Sequence, residues 1–121
     1  MNIEELREYC LSKKGASESF PFTDDILVFK VMNKMFAVIW LEPRDDDFSV
    51  IVKCDPDKAI ELRDQYESVC PGYHFNKKYW NSIYLQGDMP DDEIKHWIDH
   101  SVDEVVKKLP KKLQIEYYAD H

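Results

Sequence analysis

The sequence predicts an α+β domain in which an antiparallel sheet carries its helices on one face, in the order α-β-β-β-β-α-β-α. Three observations carry that prediction. The hydrophobic period is helical at the start of the chain, alternates over residues 17–53, and returns to helical after Asp55. The links between the alternating runs are short, and a parallel pair would need a crossover of about a dozen residues. The stretch from Pro90 to Lys108 is a long amphipathic helix that must bury one stripe against the sheet.

Each element has its own local warrant. Asn2 is a helix N-cap, Glu4 and Glu5 suit the positive helix start, and Ile3, Leu6 and Cys10 share a face. Gly15 stands where a left-handed residue closes that helix. Phe20 and Phe22 alternate around Pro21, which confines that piece to a sheet edge or a bulge. Ile26 to Val31 is rich in β-branched and aromatic residues, and Asn33-Lys34 reads as the turn into a strand from Met35 to Trp40. Phe48 to Lys53 alternates as a fourth strand. Asp55-Pro56 reads as the cap and first residue of a helix whose face is Ala59, Leu62, Arg63 and Tyr66. Trp80 to Leu85 is a further strand. The last helix has Asp91, Asp92 and Glu93 in its first turn, and Ile94, Trp97, Ile98, Ser101, Val102 and Val105 as its inward stripe. Pro110 stops it. Residues 113–121 show no partner and read as a loosely ordered tail, leaving one domain over residues 1–112.

Composition narrows the function classes. A chain of 121 residues allows one domain, and 44% hydrophobic residues exclude a disordered one. No apolar run reaches the ~18 residues of a membrane helix. The segment MNIEELREYC lacks the regions of a signal peptide, so the cytoplasm is the expected compartment. Three cysteines, Cys10, Cys54 and Cys70, are an odd set that predicts reduced thiols in a monomer or simple dimer. Sixteen basic against 24 acidic residues give a net charge of −8, which repels nucleic acid unless cations are gathered on one face. Pro71 to Leu85 contains no acid but carries His74, Lys77 and Lys78, and KKLPKK adds Lys107, Lys108, Lys111 and Lys112.

Catalytic chemistry has no visible home. His96 and His100 have the four-residue spacing that lets two imidazoles meet one metal, but further ligands are missing, so they read as a solvated helix face. Cys54 reads as a strand-end thiol and Cys10 as a core residue. Only three glycines are present, which excludes a glycine-rich phosphate cradle. A non-enzymatic protein without metal or cofactor is expected. The segment PGYHFNKKYWNSIYL is different. It interleaves Tyr73, Phe75, Tyr79, Trp80 and Tyr84 with Lys77 and Lys78, and adds Asn76, Asn81 and Ser82. Aromatic planes stack on bases at ~1–3 kcal/mol each while lysines meet phosphates. The same pattern suits a strand whose alternate aromatics face a core and whose lysines mark a turn.

At this segment the chain resembles a known family. ESFPF (Glu18 to Phe22), VFKVMNKMFA (Val28 to Ala37), KCDP (Lys53 to Pro56), PGYHFNKKYWNS (Pro71 to Ser82) and IDHSVDEVVKKLPKK (Ile98 to Lys112) look like the successive motifs of the MmcQ/YjbR family of small bacterial proteins. The resemblance implies a CyaY-like (frataxin-like) α+β fold and DNA binding through a double-wing feature. Phe75 stands where that family commonly has Met, and Tyr79 where it commonly has His. Carried over by position, the resemblance points to Lys30, Lys34, His74, Asn76, Lys77, Lys78, Trp80 and Asn81, with Lys107, Lys108, Lys111 and Lys112 after the last helix. The expected partner is DNA. The alternative is an unidentified protein or peptide, steered by the acidic residues.

Overall fold

The computed structural model describes residues 1–72 and 74–119, so Tyr73, Asp120 and His121 lie outside the described residues. Helix α1 covers Ile3–Leu11, and Asn2 closes a capping box with Glu5 in which each side chain meets the other's backbone N–H. Strands β1 (Ser17–Ser19), β2 (Ile26–Val31), β3 (Lys34–Trp40) and β4 (Ser49–Lys53) follow, then α2 (Pro56–Gln65), β5 (Val69–Pro71), β6 (Trp80–Tyr84), α3 (Asp91–Lys107) and α4 (Lys111–Ala119). The six strands form one sheet in the order β1-β2-β3-β4-β6-β5, antiparallel at every pair. The predicted fold class is what the chain adopts, with one more helix and a short edge strand, β5.

Three local differences have physical causes. Strand β1 stops at Ser19, before Pro21 removes a ladder donor, which leaves Phe20 and Phe22 exposed. The β2–β3 turn is Met32-Asn33, one residue earlier than expected, with both residues at positive φ, the primed geometry that suits strand twist. Residues 113–119 of the expected loose tail belong instead to α4, which begins at Lys111. Tyr117 there is buried and donates to the Lys14 carbonyl at 3.0 Å. Gln114 ties the α3–α4 corner by donating to the carbonyls of Lys107 and Leu109 at 3.1 and 2.8 Å.

The helices cover one face of the sheet. Leu6 of α1 and Ile94, Ile98, Val102 and Val106 of α3 are buried against Phe29, Ile39, Val50 and Ile83. A bulge places Phe36 and Ala37 together toward the helices, because Phe29 pairs with Ala37 while Lys30 pairs with Met35. Ser101 of α3, fully buried, donates to the Phe36 carbonyl at 2.5 Å and accepts from the Lys53 N–H at 2.9 Å. Among the described residues, the other face carries no helix. It shows Val28, Val38 and Ile51 ringed by Ile26, Met35, Trp40, Phe75 and Trp80.

Candidate functional site

The loop between β5 and β6 folds back over this helix-free face. Gly72 makes the return possible, since a Cβ there would lie 2.9 Å from the Trp80 Cβ and 3.2 Å from Ile51. His74 stacks on Trp40 with ring centres 5.8 Å apart, and Phe75 tilts onto Trp80 at 5.2 Å. Asn76 sets the turn that follows: its carbonyl accepts from Tyr79 and Trp80 N–H at 3.0 Å each, and its side-chain oxygen accepts from the Lys78 N–H. Lys77 and Lys78 therefore stand exposed at the loop tip, with the Lys78 ammonium 5.5 Å from the centre of the Tyr79 ring.

Strand pairing brings distant lysines to one cleft. Lys53 on β4 is the cross-strand partner of Trp80 on β6. Around this pair opens a cleft of about 280 Å³, lined by Lys34, Met35, Lys53, Trp80, Lys108 and the apolar side chains of Val105 and Leu109. No carboxylate lines it among the described residues. Lys30 adjoins it as the partner of Met35 across β2–β3. Lys34, Trp80 and Lys108 are thus brought together, and Lys53 joins them. Sequence reasoning missed Lys53 because only the pairing of β4 with β6 places it beside Trp80.

Other expected site residues lie elsewhere or are committed. Asn81 is buried on the helix side of the sheet, where it donates to the Ala59 carbonyl at 3.2 Å and accepts from Arg63 Nε at 2.7 Å. It is a packing residue and cannot meet a ligand on the open face, because alternation turns it away from Trp80. Lys107 pairs with the buried Glu104 carboxylate, which holds its ammonium above the usual lysine value. Lys111 and Lys112 are exposed in the first turn of α4. His96 is exposed as expected, but His100 is half-buried and accepts from the Asp55 N–H at 3.2 Å through Nε2.

The remaining chemistry is quiet. Burial pushes the Cys10 and Cys54 thiols up to about 12, Asp55 and Glu104 adding to the effect at Cys54, and burial raises Cys70 as well. All three are free. Among the described residues, no three His, Cys, Asp or Glu side chains are placed to share a metal ion, and no helix is long and apolar enough to cross a membrane.

The family model described as YjbR matches residues 11–103. The chain belongs to the YjbR family. Its relatives include the Escherichia coli K12 protein "Uncharacterized protein YjbR", 34% identical over 112 residues that cover 93% of each chain. "Uncharacterized protein YbdF" of Escherichia coli O157:H7 is 35% identical over 95 residues, 78% of this chain and 76% of the other. Among solved structures, Deinococcus radiodurans DR2400, of domain family DUF419, aligns with a TM-score of 0.84 at 33% identity, covering 95% of this chain and 86% of its own. A Pseudomonas syringae protein shares the fold with a TM-score of 0.75 at 23% identity, over 87% of this chain and 99% of its own. In this YjbR protein the open sheet face and its lysine cleft are formed by the VFKVMNKMFA, KCDP and PGYHFNKKYWNS motifs, together with the end of α3.

Proposed function

We propose that this YjbR protein binds DNA without catalysing a reaction, and that the lysine cleft is the phosphate-contacting part of its surface. The observation that carries the reading is the convergence of Lys34, Lys53 and Lys108 beside Trp80, with no carboxylate lining the cleft among the described residues, on a chain of net charge −8. Three cations at one place overcome a repulsive surface locally, and an aromatic ring beside them offers a base a stacking plane. Lys30 and the loop lysines Lys77 and Lys78 extend the cationic surface, as the family resemblance implies. The protein acts in the cytoplasm as a monomer or simple dimer and needs no metal.

The test is anisotropy of labelled single- and double-stranded DNA across a salt series. Replacing Lys34, Lys53 and Lys108 by Ala removes three phosphate contacts, so the salt slope falls by about 2–3 units. Wild-type protein that leaves both DNAs free at low salt defeats the reading. A second reading, docking of a protein partner, is favoured by Phe20 and Phe22, 50% and 59% exposed beside the edge strand β1.

A further inference from the structure

The open face has a second cleft at the opposite end of the same strands. It encloses about 300 Å³ between the rings of Trp40 at the end of β3 and Tyr84 at the end of β6, with Ile51 as apolar floor. Ser82, only 5% exposed, lines this cleft, and its hydroxyl has no hydrogen-bond partner among the described residues. A hydroxyl so placed in a sheet centre is an unfilled acceptor facing the opening. Ser49 adds a second hydroxyl to the lining.

The charge here is opposite to that of the lysine cleft. Glu42 and Asp47 lie on the rim together with Arg44, and Asp45 and Asp46 continue the same loop. The loop is pinned: Arg44 and Asp47 exchange backbone hydrogen bonds at 2.9 Å, and the Asp47 carboxylate accepts from the Gln86 N–H at 3.1 Å. The Asp47 carboxylate is therefore held in place at the cleft, beside the Trp40 and Tyr84 rings. That combination repels anions, phosphates included, and attracts cations to the rings.

We propose that this cleft binds a primary alkylammonium group. The ammonium donates to the Ser82 and Ser49 hydroxyls and faces Glu42 and Asp47, while the alkyl chain lies on Ile51 between Trp40 and Tyr84. Three donors on nitrogen match this ring of acceptors, and a methylene stem matches the apolar floor. The group can arrive as a free aliphatic amine or as a lysine side chain of another protein. The site is independent of the DNA reading and stands if that reading fails.

The test is a magnetic resonance titration of the nitrogen-labelled full chain with n-butylammonium chloride, n-butanol and sodium butyrate in parallel. Saturable millimolar shifts of the Trp40 indole N–H and of the Ser49 and Ser82 amides are expected with the ammonium alone. Glu42→Gln, at an exposed rim position, should weaken binding about three-fold. Trp40→Ala should abolish it, and Glu42→Gln remains decisive if that variant unfolds. Absent saturation, an equal response to butanol or butyrate, or unchanged affinity in Glu42→Gln overturns the proposal. The tripeptide Gly-Lys-Gly separates the sources: tighter binding than butylammonium assigns the cleft to a protein lysine, and weaker binding assigns it to a free amine.

Discussion

Arg63 reaches from α2 to Asn81 on β6, donating through Nε to the side-chain oxygen at 2.7 Å. The same guanidinium donates through Nη2 to the carbonyls of Lys77 and Trp80. One side chain thus ties the helix layer, the last paired strand and the loop carrying the exposed lysines. The position of Lys77, Lys78 and Trp80 on the open face depends on a contact made on the covered side.

Asn81→Ala should therefore act on stability. It leaves the buried Ala59 carbonyl without its side-chain donor and removes an acceptor from Arg63. An unmet buried partner costs about 1–3 kcal/mol. Urea unfolding should show that loss, with the salt slope of DNA binding unchanged under conditions where the variant is folded. A slope change without loss of stability would return Asn81 to the ligand surface.

The division between Asn81 and its neighbours is present in the sequence, where alternation places Trp80, Ser82 and Tyr84 on one face and Asn81 and Ile83 on the other, although the family resemblance grouped Asn81 with Trp80. The caps at Asn2 and Asp55 were legible for the same reason, since a cap is settled within four residues. The Met32-Asn33 turn was not, because strand twist forces Met32 into a left-handed conformation that its side chain does not advertise. Helix α4 was hidden too. Tyr117 is held by the Lys14 carbonyl, a long-range contact that no local period records. Lys53 became visible beside Trp80 only through pairing across α2 and β5.

Trp80 has both a packing and a surface role. It is half-buried, holds Phe75 and lines the lysine cleft. Trp80→Ala should cost about 2–4 kcal/mol, toward the lower end of large-to-small losses because the ring is not fully enclosed. Trp80→Phe keeps an apolar plane and should cost less than about 1.5 kcal/mol. Denaturation of the two variants checks this, and equal losses would show that contact with Phe75 does not depend on ring size.

Asp88 gives the fold an acid-sensitive tie. Its carboxylate accepts from the Ser68 and Glu67 N–H groups at 2.9 Å each, and these bonds hold it down from 3.8 to about 2. A depressed carboxylate stabilises the fold above its unfolded value and ceases to do so as pH falls through its folded value. Wild type should therefore lose stability between these two values more steeply than Asp88→Asn, which keeps an acceptor but carries no charge. Parallel acid titrations by circular dichroism would sink this assignment if the two curves had the same slope.

His100 acts in a higher window. Burial pushes its imidazole below the ordinary 6.5, Lys58 and Lys107 add to that effect, and Glu104 and Asp55 oppose it. The neutral ring is also the form required by the bond it makes, because Nε2 accepts from the Asp55 N–H at the N-cap of α2. An unfolded histidine binds a proton near 6.5 and the folded one resists it, so the unfolded chain holds more protons below that value. The contribution of His100 is fully present above about pH 6.5 and is lost as pH falls toward the lower folded value. His100→Gln keeps an acceptor for Asp55 and does not titrate. Urea unfolding at about pH 7.5 and about pH 5.5 should show a larger drop for wild type than for the variant. An equal drop would mean that the Asp55 contact survives protonation and that the pH response lies in other groups.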